Sequence, residues 1–380
     1  MRMDWLRRHK HSLKKSAQGV NLIFNNSFLQ QYFDGTSAQN NSFDRASAEK
    51  LVKKLGQSPS QALTHSKALL ASKIISKVND ELGKINFNPT GGNLFGGWNL
   101  WSAGQITIGK SQSSKNSTSS PFEAVTVAVG IDKSDANSVM GFALNVSEDE
   151  FDVGQLGSTQ NSDGLSLSVY GNYDSDSIPP LEFIFGAGNE SILSKRMDGL
   201  QTLKGTQKVN SIYGSISVLP ETVKYNQVTL MPYGKFEASV SEFGSYSETG
   251  GTLALAFGKQ NIRQTIFKFG VDATYDARVH NGNLTPFARL EYALDISPES
   301  YIDMRYVNDT MQYRLKTNKI VSGRWTARIG ANYNHEKSIS SSVFYERSES
   351  RNHGYSNTFH FKATIPFESL TKSFFLKRRG

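Results

Sequence analysis

The residues that could carry chemistry are dispersed along this chain of 380 residues. The chain has seven histidines: His9, His11, His65, His280, His335, His353 and His360. None of them is spaced from another histidine or from a carboxylate in a way that would form a metal site on one face of a helix. The chain contains no cysteine, which excludes disulfides and cysteine–zinc sites. No nucleophile elbow or glycine-rich phosphate loop is evident. We therefore predict no catalytic residue, no metal site and no cofactor.

A hydrolase site on a barrel wall is the enzymatic alternative. Such a site needs a serine, a histidine and an asparagine or aspartate together on the outer surface. His360 lies between Phe359 and Phe361 in an alternating segment, so its side chain points away from theirs. If the two phenylalanines face lipid, His360 faces the interior and is a poor candidate for that set. We expect no enzyme activity, and the barrel hydrolase stays an alternative.

The elements that would position these side chains are β-strands. The last of them, 358–367, alternates apolar and polar residues, which places five apolar side chains on one face: Phe359, Phe361, Ala363, Ile365 and Phe367. A strand of about ten residues with one apolar and one polar face suits the wall of a transmembrane barrel. The same alternation begins at Trp98 and continues through about fourteen candidate strands.

A soluble β-sandwich would show the same alternation and is the alternative fold. The candidate strands often reach ten or more residues, and the Cys–Trp–Cys spacing of immunoglobulin domains is absent, which favours a membrane barrel. Aromatic residues also cluster toward strand ends, as in the interface girdles of such barrels. The predicted interface aromatics are Trp98, Trp101, Tyr170, Tyr173, Tyr233 and Trp325. The chain is 37% hydrophobic and 20% charged, without an apolar run long enough for a transmembrane helix.

One strong helix signal, at 59–82, precedes the strands. Ser58 can cap this helix, Pro59 occupies its first position, and Gly83 provides a stop. Its apolar stripe consists of Leu70, Ile74, Val78 and Leu82. About 24 residues at 1.5 Å each give a rod of about 36 Å, close to the thickness of a bilayer core. A helix packed on a soluble domain is the alternative.

The net charge of +8 is concentrated partly at the two ends of the chain. Because no binding motif accompanies these basic ends, we interpret them as solvated and expect no nucleic-acid partner. The basic start is not followed by the apolar run of a secretory signal. If the barrel interpretation holds, we expect the chain to be a fragment or its true start to lie upstream.

Six short motifs occur along the region 98–367. They are the paired tryptophans and following glycines of 98–109, the VTVAVGID of 125–132, the YGNY of 170–173, the MPYGKF of 231–236, the TPFARLEY of 285–292 and the closing Phe367. In this order they resemble the C-terminal translocator β-domain of autotransporters, the type V secretion proteins of Gram-negative outer membranes.

The resemblance implies an all-β transmembrane antiparallel barrel of twelve strands, with fourteen possible, and an N-terminal α-helix threading the lumen. Two candidate segments, within 181–218 or 300–315, are then expected to lie outside the membrane. The implied organisation is a polar linker or passenger remnant at 1–57, a pore-threading linker at 58–90, the translocator barrel at 91–367 and a basic tail at 368–380. This tail departs from the family, whose members usually end at the aromatic residue.

The implied function is export and surface display of an N-terminal passenger by an outer-membrane translocator and anchor. The implied partners are outer-membrane lipid, periplasmic chaperones, the barrel-assembly machinery that reads the closing strand, and the chain's own passenger, absent here. Lysines of the helix are expected to pair with Glu237 and Asp303 in the lumen at about 0–1 kcal/mol each: Lys67, Lys73 and Lys77. Self-cleavage at Asn86 or Asn88 is not expected, since no matching acidic pair is evident. The alternative function is a porin-like or structural barrel without export activity.

Overall fold

The computed structural model describes residues 98–110, 121–135, 137–153, 158–175, 177–198, 201–279, 282–316, 323–335, 340–350 and 354–366. The predicted pore helix with Leu70, Ile74, Val78 and Leu82, the segments 1–57 and 58–90, Phe367 and the tail 368–380 lie outside these residues. Within the described ranges, no helix has the length and apolar character needed to cross a membrane.

The described residues form eighteen strands. In chain order these are β1 (Trp98–Lys110), β2 (Pro121–Ser134), β3 (Ser138–Val153), β4 (Ser158–Ser175), β5 (Ile178–Asp198), β6 (Gln201–Val218), β7 (Val223–Tyr225), β8 (Val228–Phe243), β9 (Tyr246–Ser247), β10 (Leu255–Phe257), β11 (Gln260–Tyr275), β12 (Ala277–Val279), β13 (Gly282–Asp295), β14 (Tyr301–Tyr306), β15 (Tyr313–Lys316), β16 (Arg324–His335), β17 (Ser340–Ser350) and β18 (Gly354–Pro366).

Twelve of these strands form one closed antiparallel ring in the order β1-β2-β3-β4-β5-β6-β8-β11-β13-β16-β17-β18. The first and last strands pair from Asn99–Pro366 to Lys110–Tyr355, which closes the ring. β8 and β11 pair along their whole length and join its two halves. Closure gives both edges of every wall strand a partner, which is the condition for a sheet to cross hydrocarbon. The predicted all-β barrel of twelve strands is confirmed.

The fourteen candidate segments include two that do not belong to the wall. The segment 300–315 forms β14 and β15, which lie outside the ring as expected. The segment 181–218, the other location considered for these two segments, lies in the wall. It forms the wall strands β5 and β6, which pair continuously from Leu181–Val218 to Asp198–Gln201.

The two ends of the ring differ in the length of their connections. Connections of four or fewer residues occur at both ends, but at one end, which we call the short-turn end, no connection between neighbouring wall strands is longer than the nine residues of 219–227. At the other, which we call the long-loop end, β8 and β11 are joined through 244–259, and β13 and β16 through 296–323. β1 starts and β18 finishes at the short-turn end, since Trp98 is opposite Lys133 and Asn99 is opposite Pro366.

The outer face of the ring is apolar and exposed, whereas the inner face is buried. On β2, outward-facing Val127 is 50% exposed, while its inward-facing neighbours Thr126 and Ala128 are 8% and 3% exposed. Outward apolar residues continue from strand to strand in register, for example Val129 opposite Leu144 and Leu144 opposite Leu167. Nine residues at 3.3 Å, tilted by about 40°, give a band of about 23 Å, the height expected for a membrane barrel.

Aromatic rings on the inner face lie directly over glycines of the neighbouring strand. A Cβ atom built on Gly270 would overlap the ring of Tyr233, and one built on Gly130 would overlap the ring of Trp101. Tyr213 covers Gly186 in the same way. The glycines therefore give space to large side chains that fill the interior, and the strands keep their pairing distance.

We expect Gly270→Ala to destabilise the barrel by about 1–3 kcal/mol, because the added methyl group forces the Tyr233 ring out of position. Gly104→Ala is the matched control, since a Cβ atom there meets nothing within 4 Å. The measurement is urea unfolding in detergent, followed by the heat-dependent shift in gel mobility. Equal unfolding midpoints for the two variants would show that the stability of the barrel does not depend on the contact between Gly270 and Tyr233.

Candidate functional site in the barrel interior

The inner face is polar along most of the ring. Serine, asparagine and glutamine are frequent on the inner face of β4 and β6, and β8, β11 and β13 each carry buried charged residues there. Two buried apolar clusters interrupt this polar surface, one around Trp101 and Ile184 and one around Ile192 and Phe243. Polar groups away from bulk water require hydrogen-bonding partners. Such an interior can solvate a polar chain, which the apolar outer face cannot do.

A group of lysine and glutamate side chains, here called the ion cluster, lies where β8, β11 and β13 meet. The Lys268 Nζ is 2.7 Å from Glu237 Oε1 and 3.8 Å from Glu291 Oε1. Lys235 is directly opposite Lys268 in the sheet, a like-charge pairing that destabilises a strand pair by itself. The two glutamates offset this repulsion, and they also hold the three strands in register. Tyr233 Oη donates a 2.7 Å hydrogen bond to Glu291 Oε2.

A second ion pair extends the cluster toward the short-turn end. Arg289 donates to Asp272 through Nε at 2.5 Å and through Nη2 at 2.6 Å, and the two residues are directly opposite each other on β13 and β11. The guanidinium carbon lies 5.0 Å from the centroid of the Tyr233 ring, within the range of a cation–π contact. Bidentate geometry makes this pair more specific than a lysine contact.

A hydrogen-bonded chain on the opposite part of the wall joins β1, β2 and β4. Trp101 Nε1 donates to Tyr170 Oη at 2.5 Å, and Tyr170 Oη donates to Asp132 Oδ2 at 2.9 Å. Asn99 Nδ2 donates to the other oxygen of Asp132 at 3.0 Å. Lys362 on β18 lies 5.1 Å from the Trp101 ring, so the chain reaches the strand that closes the barrel.

The closing part of the ring has its own buried ion pair. Arg328 on β16 donates to Glu346 on β17, with Nη2 at 2.5 Å and Nε at 2.9 Å. Its guanidinium carbon is 4.2 Å from the Phe344 ring centroid, and the same ring stacks on His360 at 4.4 Å. His360 is 4% exposed and faces the interior, not the outer wall, so it cannot serve an outer-wall hydrolase site.

The two long connections at the long-loop end form a small four-stranded sheet, here called the loop sheet, in the order β15-β14-β10-β9. It packs on the inner face of β5 and β6, since inward-facing Leu203 is fully buried and Gly205 lies under the Tyr246 ring. Tyr246 stacks on Phe257 at 4.7 Å, and Ile302 is fully buried. The loop sheet therefore lies on the lumen side of the wall, where it occupies part of the opening.

A buried ion pair and a short backbone bridge fix the loop sheet to the wall. Arg196 on β5 donates to both carboxylate oxygens of Glu248, at 3.1 and 2.6 Å, and to the Leu253 carbonyl at 2.8 Å. Glu248 Oε2 also accepts the Leu255 backbone N–H at 2.9 Å. Lys204 on β6 exchanges two backbone hydrogen bonds with Thr249, at 2.9 and 2.8 Å.

Three of the predicted interface aromatics face inward, and for them the prediction is wrong. Trp101, Tyr170 and Tyr233 are 2%, 0% and 8% exposed and belong to the interior networks. Trp101 is three positions after Trp98, and Tyr170 is three positions before Tyr173. Residues three positions apart in a strand lie on opposite faces. The partners of these pairs, Trp98 and Tyr173, face outward near the short-turn end.

The remaining predicted residues have mixed positions. Trp325 faces outward near the long-loop end, and Phe359 and Phe361 face outward on β18. Ala363 is half-buried on the same face, whereas nothing is described for the side chain of Ile365 or for Phe367. The roles of these residues at the interface and in assembly stay predictions.

The two carboxylates expected to pair with helix lysines have partners in the described part of the barrel. Glu237 is in the lumen as predicted, and it binds Lys268. Asp303 is not in the lumen wall, which corrects the expectation. It lies on β14 and accepts two hydrogen bonds from Arg314 on β15, which lower its pKa below the usual value.

The sequence analysis did not identify several charged side chains of the barrel interior. Arg196, Arg289 and Arg328 occupy the inward parity of their strands, and this parity was the signal that could have identified them. Within the described ranges no group of three or more histidine or acidic residues could hold a metal ion. The interior instead offers fixed charges and hydrogen bonds along a polar passage.

Comparisons with known proteins agree with this architecture. The family model of the autotransporter β-domain matches residues 100–346. The translocator domain of the autotransporter NalP from Neisseria meningitidis is 15% identical, with 81% of this chain and 98% of that one covered, at a TM-score of 0.64. The β-domain of the Bordetella autotransporter BrkA is 14% identical, with 71% and 99% covered, at a TM-score of 0.51. The comparison with curated protein sequences gave no match.

We expect Arg196→Met to release the loop sheet, at a cost of about 3–5 kcal/mol in local opening, because Glu248 stays buried without its cation. Arg314→Met is the control. Its pair with Asp303 is 57% and 45% exposed, so we expect little or no additional opening. Hydrogen exchange at 246–257 at neutral pH measures the opening. Equal protection in the two variants would mean that the apolar contacts alone hold the loop sheet.

Proposed function

Because the chain belongs to the autotransporter β-domain family, we propose that it is a translocator and anchor unit that exports and displays an N-terminal passenger at the cell surface. The barrel lies in the bacterial outer membrane, as its family and its fold indicate. In such barrels short turns face the periplasm and long loops face outside. We therefore take the short-turn end as periplasmic and the long-loop end as extracellular.

The observation that carries the proposal is the combination of an apolar outer face, a polar and charged inner face, and the position of β1. Trp98 starts the barrel at the periplasmic end, so a preceding segment that reaches the cell surface must pass through the ring. The inner face can hydrogen-bond a polar chain along this path. We propose that the segment 58–90 occupies the lumen as a helix, with 1–57 leading toward the passenger.

Charge on the inner wall supports the same path. The lysines at 67, 73 and 77 of the proposed helix would meet the buried carboxylate of Asp149 on this wall, since Glu237 and Glu291 already contact Lys268. In a wet lumen each such pair contributes about 0–1 kcal/mol, which allows a helix to be held and also to move. The outward residues Phe359 and Phe361 on β18 are the proposed recognition surface for the barrel-assembly machinery, after periplasmic chaperones have delivered the chain.

A porin-like barrel without export activity is the second candidate function, and one observation favours it. The loop sheet folds onto the inner face at the extracellular end and is fixed there by the Arg196–Glu248 pair. Inward-folded loops that carry charges are the feature expected of a diffusion pore. The two candidates therefore differ in whether a chain emerges past the loop sheet.

The test is surface exposure of the N-terminal segment. We expect an epitope inserted before Asp44, in the full chain behind an added signal peptide, to be removed when intact Gram-negative cells are treated with protease. The same epitope placed in the 336–339 turn between β16 and β17 is the control and must stay protected, because that turn lies at the periplasmic end.

The outcome separates the two candidate functions. Loss of the first epitope with retention of the control supports export through the ring. An epitope before Asp44 that stays protected until the outer membrane is broken, in a barrel that is inserted and heat-modifiable, would leave the porin-like function.

A further inference from the structure

The outer face of the wall is interrupted by a groove on its extracellular half. Its volume is about 810 Å³, and its lining comes from β3, β4, β5, β6, β8 and β11. The groove lies between two successive rows of outward-facing side chains that run around the barrel. The lower row, nearer the membrane centre, is apolar, and the upper row is mostly polar.

The lower row is continuous from β3 to β8 in the strand register. It consists of Leu144, Leu167, Ala187, Ile212 and Val240, each directly opposite the next. Ala187 is small and lies between two large residues, which leaves a recess at this point of the wall. An apolar recess of this kind on a lipid-facing surface can hold an acyl chain.

The upper row begins at Leu165, which is opposite Asn189, and continues with amides and one carboxylate. Asn189 is directly opposite Asn210, Asn210 is opposite Glu242, and Glu242 is opposite Asn261. The wall continues beyond this row up to the Asp198–Gln201 pair, so the row lies partway along the strands and not at their tips. Exposed amides at this level can exchange hydrogen bonds with the hydroxyl groups of a headgroup.

Positive charge lies on the β5–β6 and β11 side of the groove, whereas the exposed carboxylates of Glu148 and Asp163 lie on its β3–β4 side. Arg263 ends the lower row opposite Val240, and within the described part of the chain it has no ion pair. Lys208 lies two positions above Asn210 on the same face, and Lys195 is directly opposite Lys204. Like charges opposite each other are unfavourable unless an anion lies nearby. The one carboxylate that lines the groove, Glu242, is 3.8 Å from Lys259, which further reduces its repulsion of an anion.

We propose that this groove binds a phosphorylated glycolipid of the outer leaflet. One acyl chain lies along the apolar row beside Ala187, the sugar hydroxyls bond to Asn189 and Asn210, and a phosphate binds Arg263. The neighbouring lysines raise the local concentration of anionic lipid. The proposal rests on the membrane location of the barrel and is independent of export.

The experiment uses the full chain, refolded in neutral detergent and titrated with lipids under native mass spectrometry. The lipids are bisphosphorylated lipid A, its dephosphorylated form and phosphatidylglycerol. We expect the bisphosphorylated lipid to bind at least about tenfold more tightly than the dephosphorylated one, as expected for a charge-assisted contact. Arg263→Gln should remove this preference, and Ala187→Phe should weaken both glycolipids by filling the recess.

Two outward-facing controls test whether the effect belongs to the groove. Arg347→Gln removes an arginine that already contacts Asn357 at 3.1 Å and the Tyr355 ring at 4.1 Å, and Ala327→Phe adds a ring elsewhere on the wall. Both should bind lipid like the parent chain, and every variant is first checked for heat-modifiable mobility.

Three results would overturn the proposal. These are equal binding of all three lipids, equal effects of groove and control variants, and competition by inorganic phosphate together with no effect of Ala187→Phe. The last result would mean that surface charge alone attracts phosphate. Because the readout is lipid binding, a negative result leaves the export proposal untouched, and failed export leaves this one untouched.

Discussion

The requirement that every backbone N–H and C=O in hydrocarbon finds a partner determines this structure. The pairing of β1 with β18 and of β8 with β11 satisfies it by closing the ring. Once the ring is closed, alternation of side chains gives one face to lipid and one to the lumen. The apolar rows outside and the polar groups inside follow from the same closure. The same twelve strands therefore provide both the lipid-facing surface and the polar passage.

The interior is stabilised by specific contacts, because a polar lumen offers little hydrophobic driving force. Several aromatic rings fill it where a facing glycine leaves space, as for Tyr233 over Gly270. Charges are tolerated because they occur in groups, and Lys235 opposite Lys268 is accommodated by the carboxylates of Glu237 and Glu291. Removing one member of such a group leaves a buried charge without its partner, which destabilises the barrel.

Alternation in the sequence predicted the barrel, six short motifs carried the resemblance to its family, and parity predicted that Glu237 and His360 face inward. Alternation was not applied to the paired tryptophans, and it failed for Asp303, where long-range pairing decides. The three-residue spacing of Trp98 and Trp101 places them on opposite faces, a consequence that proximity to strand ends concealed. The partner of Asp303 is Arg314, on a strand outside the ring, and alternation carries no information on which strands leave the wall.

The loop sheet connects the two candidate functions through one energetic quantity, the free energy of its opening. Its buried parts, the Arg196–Glu248 pair and the side chains around Leu203 and Ile302, favour the closed position. Its exposed parts, including the Arg314–Asp303 pair, add little.

A chain leaving the lumen shares the opening with this sheet, so export requires either space beside it or its displacement. A strongly held loop sheet favours a narrow diffusion pore, whereas a weakly held one is compatible with passage of a polypeptide. The balance lies in the few contacts between β5, β6 and the 244–259 segment, not in the ring itself.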